Sequence, residues 1–228
     1  MKILVIIHVE SEGPGTLGTF LESKGMELVI GRLYAGDRLP QNLREFSAVV
    51  SMGGPMNVYE EDTYSYLREE TIFLEKALNA DMPILGVCLG SQMIAKAAGA
   101  PVKVGAVKEV GWGTISLSDA ARSDPFFQGL PQTFDVFQWH EDMFHIPQGG
   151  TLLAGSEICP HQAFRFRNAV GLQFHVEVTA EILGEWFAGS PQYDLEQILG
   201  RYQRLRQELD RNSQQIYGNF WAQIVRGR

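Results

Sequence analysis

Residues 83–100 read PILGVCLGSQMIAKAAGA. An apolar run of strand length ends in Gly86, Val87, Cys88, Leu89 and Gly90, and a helix-prone segment follows at once. That order describes a strand, a sharp turn and a helix. A residue on such a turn is squeezed between strand and helix, so it needs small neighbours on both sides, which Gly86 and Gly90 provide. The Cys88 sulfur then sits near a helix N-terminus, where free N–H groups and the helix dipole favour thiolate over thiol. The pattern suits a nucleophile. It also suits a buried structural cysteine in a glycine-rich turn, and the turn alone does not separate the two.

Upstream, the same alternation repeats. Apolar runs KILVIIHV, MELVIGRLY and FSAVVSMGG are interleaved with helical patterns near residues 16–24 and 64–80. Near-continuous apolar strands alternating with helices imply a mostly parallel sheet buried on both faces, with its ligand site at the carboxyl ends of the strands. The fold class expected is therefore an open α/β sheet flanked by helices. Downstream, VKEVGWGTISLSD, TFDVFQWHEDMF, TLLAGSE, QAFRFRN and AVGLQFHVEV are short runs separated by turn residues. They read as antiparallel strands added to one edge. From residue 179 the pattern is helical, roughly over 179–188, 194–210 and 213–225, with a Gly-Ser-Pro break at 189–191. No composition shift marks a linker, so residues 1–228 read as one domain with a helical C-terminal extension from about 179 to 228.

Composition narrows the function. The chain has 228 residues, 45% of them hydrophobic and 20% charged, enough for a core without disulfides. A net charge of −8 without a basic cluster argues against nucleic acid as a partner. Two cysteines, Cys88 and Cys159, form no disulfide framework and no thiolate zinc site, and a reducing cytoplasm is expected. The apolar N-terminal run is too short to span a bilayer, so no membrane association is expected. Cys159 lies close to His161, but two ligands do not make a closed metal site, and neither metal nor cofactor is expected.

A thiolate nucleophile needs a proton acceptor and a group to orient it. His175 and Glu177 stand in LQFHVEV, where strand alternation sends both side chains to one face. A carboxylate beside an imidazole fixes its tautomer and stabilises its cation, so Cys88, His175 and Glu177 form a candidate triad. His175 is equally open to reading as a satisfied structural histidine.

The combination of GVCLGSQ with GLQFHVE resembles the class I, triad-type glutamine amidotransferase family, whose glutaminase domain occurs in GMP synthase. The resemblance extends in family order through VVSMGGPMNVYEED, EVGWGTISLS, WHEDMFHIPQGGTLLAGSE and QAFRF, covering roughly residues 48–178. It implies a flavodoxin-like fold and hydrolysis of a γ-glutamyl amide through a thioester on Cys88, with His175 and Glu177 completing the triad. It further implies an oxyanion hole from the backbone of Gly54 and Leu89, with Gly53 beside it among the substrate-binding residues. Gln92 and the segment containing Trp139, His140 and Glu141 would hold the substrate.

This chain departs from the family pattern in having Val176 where His-Pro-Glu is usual. His140 and His145 are weaker candidates for the base. No phosphate-loop motif GxxxxGK[ST] is present, so ammonia would pass to a separate synthetase subunit. The alternatives are a γ-glutamyl peptidase without an ammonia acceptor and a catalytically silent regulatory subunit.

Gly13, Gly15 and Gly18 match the GxGxxG spacing of a dinucleotide loop. Pro14 lacks an N–H there and Glu12 adds negative charge, so EGPGTLGTF reads instead as a turn and helix start at the rim of the cleft. Five tail aromatics, Trp186, Tyr202, Tyr217, Phe220 and Trp221, read as core packing in preference to a partner face.

Overall fold

The apolar runs become the inner strands of one nine-stranded sheet. The computed structural model describes residues 1–227. In chain order the strands are β1 (Lys2–Ile7), β2 (Glu27–Arg32), β3 (Ala48–Ser51), β4 (Ile84–Val87), β5 (Val102–Leu117), β6 (Thr133–Phe144), β7 (Thr151–Gly155), β8 (Ala163–Phe166) and β9 (Ala169–Leu172). The helices are α1 (Gly15–Ser23), α2 (Tyr66–Asn79), α3 (Leu89–Ala97), α4 (Ala180–Phe187) and α5 (Leu195–Arg226).

The strand order is β2-β1-β3-β4-β9-β8-β7-β5-β6. Strands β2, β1, β3, β4 and β9 run parallel, and the remaining pairings from β9 to β6 are antiparallel. This is the open α/β sheet with antiparallel additions that the sequence predicts, with one relocation. β9 lies mid-sheet, parallel to β4 through Ile84↔Ala169 to Val87↔Leu172. Its four residues are all buried, and such a strand carries no alternation to mark its neighbours.

Strand alternation splits the core between the two faces. Ile3 and Val5 of β1 pack with Leu17 and Leu21 of α1 and with Ile216 and Phe220 of α5. Leu4 and Ile6 face the other way, toward Leu67, Phe73 and Leu74 of α2 and Met93 and Ile94 of α3. Each fully buried side chain of this kind contributes about 1.5–3 kcal/mol relative to exposure. Both faces are therefore sealed, and the strand ends are left to carry chemistry. A third apolar cluster joins Phe137 of β6 to Leu183 and Phe187 of α4 and Tyr202 of α5.

The tail differs from the sequence reading. The two helices expected over 194–210 and 213–225 are one helix, α5, capped by Asp194, whose carboxylate accepts from Gln197 N–H at 2.9 Å. Asn212 and Ser213 are residue types that favour caps, yet the helix runs through both. No Gly or Pro lies between Asp210 and Ser213, and Asn212 and Ser213 are both buried within the helix. Ser213 Oγ turns back to donate to Asp210 O at 3.2 Å, which leaves the helix intact.

Candidate active site

Cys88 sits between β4 and α3 with φ 51° and ψ −110°, a left-handed conformation that a side chain rarely adopts. The flanking glycines are required by contact. A Cβ on Gly86 would lie 2.6 Å from Gly90 O, and one on Gly90 would lie 2.0 Å from Ser51 O. The backbone fastens the turn on both sides, since Cys88 N–H donates to Leu172 O at 2.7 Å and Gly90 N–H to Met52 O at 3.1 Å. Strain held by surrounding structure in this way is a property of functional turns.

His175 and Glu177 lie beyond the end of β9. His175 is held by a bridge to β6, its N–H donating to Phe137 O at 2.8 Å. Nδ1 of His175 is 2.7 Å from Oε1 of Glu177, and Oε2 of Glu177 accepts Val176 N–H at 2.9 Å. Both side chains are almost fully buried. Burial would push the His175 pKa down, but attraction to Glu177 and contact with Cys88 outweigh it and hold the imidazole well above its usual value. The pair thus favours an imidazolium beside the sulfur.

Cys88 and His175 open onto one cavity of about 270 Å³, which Gly54, Trp139 and Trp186 also line. Leu89, the first residue of α3, has an N–H that the helix itself leaves without an acceptor. Gly53 is packed too tightly for a side chain, because a Cβ there would lie 2.1 Å from Glu12 Oε2 and 3.2 Å from His175 Cε1.

The other sequence-predicted site residues sit differently. Gln92 is buried, and its Nε2 donates to Asp142 O at 3.1 Å and to Gln173 Oε1 at 3.2 Å. Trp139 reaches the cavity and offers its carbonyl oxygen to Cys88 Sγ at 3.7 Å. His140 points away, its Nε2 3.1 Å from Glu109 Oε2, while Glu141 is exposed. Cys159 meets Glu109 and His140, their ligand atoms within 4.8 Å of one another. These groups are already engaged: Glu109 Oε2 accepts Gln162 Nε2 at 3.0 Å, and burial pushes the Cys159 thiol up to about 11. His161 turns to Phe144 O instead.

Sequence reasoning assigned no site role to Glu12, Trp186, His8 or Glu70. The Trp186 ring stands edge-on to His175 with centroids 4.8 Å apart, and its Nε1 donates to Ser11 O at 2.9 Å. One of the five tail aromatics therefore lines the cavity, whereas Tyr202, Tyr217 and Phe220 are buried in packing. Glu12 lines the same cavity, and burial raises its pKa above the ordinary carboxyl value. The glycine-proline-glycine turn also has a local explanation. Gly15, at φ 46°, lets α1 approach so closely that a Cβ would lie 2.3 Å from Glu177 O, and Thr16 N–H donates to that oxygen at 3.0 Å.

The structure thus brings the Cys88 turn and the hydrogen-bonded His175 and Glu177 pair together at the carboxyl ends of the parallel strands. The chain belongs to the class I glutamine amidotransferase family, whose profile matches residues 21–186. It is 35% identical over 185 residues to the glutamine amidotransferase-like protein YfeJ of Salmonella typhimurium, covering 79% of this chain and 77% of that one. It is 30% identical to the glutamine-hydrolysing GMP synthase of Thermosipho melanesiensis, covering 78% of this chain and 33% of that one. The chain thus spans about a third of that GMP synthase. The crystal structure of a glutamine amidotransferase from Thermotoga maritima superposes with a TM-score of 0.90 at 33% identity, covering 96% of this chain and 97% of that one. Among the described residues, no helix is long and apolar enough to cross a membrane.

Proposed function

We propose that this chain hydrolyses the γ-carboxamide of glutamine through a thioester on Cys88, with residues 1–228 acting as one glutaminase unit. The observation that carries the reading is the strained Cys88 elbow sharing one cavity with His175, whose imidazole is held by Glu177 at 2.7 Å. The Cys88 thiolate attacks the γ-carbonyl carbon, and the oxygen takes negative charge opposite the Gly54 and Leu89 N–H groups. The C–N bond then breaks as His175 gives its proton to the departing ammonia. Water, losing a proton to His175, attacks the thioester and releases glutamate and the thiolate. One oxyanion donor contributes about 10²–10³ in kcat in the best-studied case. The ammonia would pass to a synthetase partner, a reading supported by the likeness to glutamine-hydrolysing GMP synthase. Gln92 would act by holding the segment that carries Trp139 through its bond to Asp142 O.

A second reading is favoured by the lining of the cavity, which includes Ser11, Glu12 and Trp186 as well as Cys88 and His175. That space would accept a leaving group larger than ammonia, as a γ-glutamyl peptidase requires. Glutamate release from L-glutamine and from a γ-glutamyl dipeptide, with Cys88→Ala as the blank, tests both readings. Faster release from glutamine supports the amidotransferase, faster release from the dipeptide supports the peptidase, and release from neither removes both.

A further inference from the structure

Beneath the cavity lies a polar cluster that the reaction as proposed does not use. His8 follows β1, Glu70 lies on α2 and Ser51 ends β3, and all three are fully buried. His8 Nδ1 is 3.0 Å from Gly53 O, which can only accept, so Nδ1 carries the proton. His8 Nε2 is 2.7 Å from Glu70 Oε2, and Ser51 Oγ donates to Glu70 Oε1 at 2.7 Å. Burial opposes a charge on His8, yet attraction to Glu70 outweighs it and raises the imidazole pKa. Both ring nitrogens of His8 and both carboxylate oxygens of Glu70 are engaged, and a side-chain bond leaves the cluster for the loop below the candidate oxyanion hole.

That bond fixes a direction. The peptide joining Gly53 to Gly54 is trans and planar, so its C=O and N–H point opposite ways. With Gly53 O drawn down onto His8, Gly54 N–H faces the opposite side, where Gly54 lines the cavity. Two adjacent glycines offer little intrinsic resistance to rotation of this peptide, so its orientation has to come from neighbours. Gly54 itself is clamped, since a Cβ would lie 2.9 Å from both His8 Cβ and Leu89 Cδ2.

We propose that His8, braced by Glu70 and Ser51, is a positioning residue that holds the peptide joining Gly53 to Gly54 with its N–H toward the cavity, presetting the oxyanion donor in the free chain. The proposal rests on the thioester reading for its effect on rate, but its geometric content stands apart from it.

Two substitutions separate positioning from plain structural support. His8→Asn keeps an N–H near the Nδ1 position but no longer reaches Glu70, whereas His8→Gln reaches Glu70 but gives up the donor to Gly53 O. If His8 positions the loop, His8→Gln lowers kcat for glutamate release about 100-fold with KM little changed, and His8→Asn recovers most of the loss. If His8 only neutralises Glu70, the order reverses, because His8→Asn leaves a buried carboxylate unpaired, and that order overturns the proposal. Crystal structures of the wild type and both variants supply a readout independent of turnover. A rotated peptide in His8→Gln alone supports the proposal, and an unchanged peptide there overturns it. Should the wild type release glutamate from neither L-glutamine nor a γ-glutamyl dipeptide, the thioester reading falls, and peptide orientation in the three crystals still decides the role of His8.

Discussion

The two halves of the sheet build the candidate site in different currencies. The parallel half contributes backbone: the Cys88 turn after β4, the Gly53 and Gly54 loop after β3, and the close approach of Gly90 to Ser51 O. The antiparallel half contributes side chains and a wall: Trp139 on β6, with Phe137 of the same strand bridging to His175. Parallel strands deliver several chain ends to one edge, so their loops can aim N–H groups at one point. Antiparallel strands run past that edge and present rings. At the site, substitutions that add atoms should therefore do most damage in the glycine turns of the parallel half, and those that remove chemistry should act where the halves meet.

The sharpest break is Cys88→Ala, expected to lower glutamate release below about one part in 10⁴ while leaving the thermal midpoint close to wild type. Retained turnover would return Cys88 to the structural reading. Next comes a paired test by denaturant unfolding. Gly90→Ala puts a Cβ 2.0 Å from Ser51 O and should cost about 3 kcal/mol or more, whereas Gly113→Ala on β5 meets only Gln138 Cγ at 3.5 Å and should change stability by about 0.5 kcal/mol or less. Equal costs would erase the distinction between the halves.

Glu177→Gln tests their junction. Without the carboxylate the imidazolium loses its main support, so kcat should fall about 100-fold and the alkaline limb of the pH profile should move to lower pH. The stability consequence has a definite sign. The folded-state pKa of His175 is raised above 6.5, so its contribution is fully present below 6.5 and is lost as pH rises through the folded value. His8 contributes with the same sign, so Glu177→Gln should flatten this decline without abolishing it. A smaller loss of stability than that of Gly90→Ala is expected for Tyr217→Phe on α5. It removes an O–H that donates to Val176 O at 2.8 Å, for about 1 kcal/mol in thermal or denaturant unfolding.

What the sequence made legible follows the same division. The elbow at Cys88 could be read because its requirements are local: a strand, a glycine on each side, a helix. His175 and Glu177 were legible as a pair because they are two residues apart, although the strand supposed to align them stops at Leu172 and the bridge to Phe137 does that work. His8 with Glu70, and Trp186 with His175, were not legible. Each is a meeting of distant segments, and each residue alone looks like an ordinary member of a strand or helix. β9 was misplaced for a related reason, since a fully buried four-residue run carries no sign of which strands will flank it.

The mid-sheet position of β9 also bears on how the chain acquires its shape. Ile84 pairs with Ala169, so during synthesis β4 waits with one edge unpaired while the whole of β5 to β8 is made. Pairings of such long sequence separation are slow to form, and an open apolar strand edge is a template for association with other chains. A chain halted before residue 169 would hold the Cys88 turn beside that open edge, without Leu172 O to accept its N–H. The assembly of the elbow is thus coupled to arrival of β9, and premature termination in β7 or β8 should yield an aggregation-prone fragment that lacks a finished elbow.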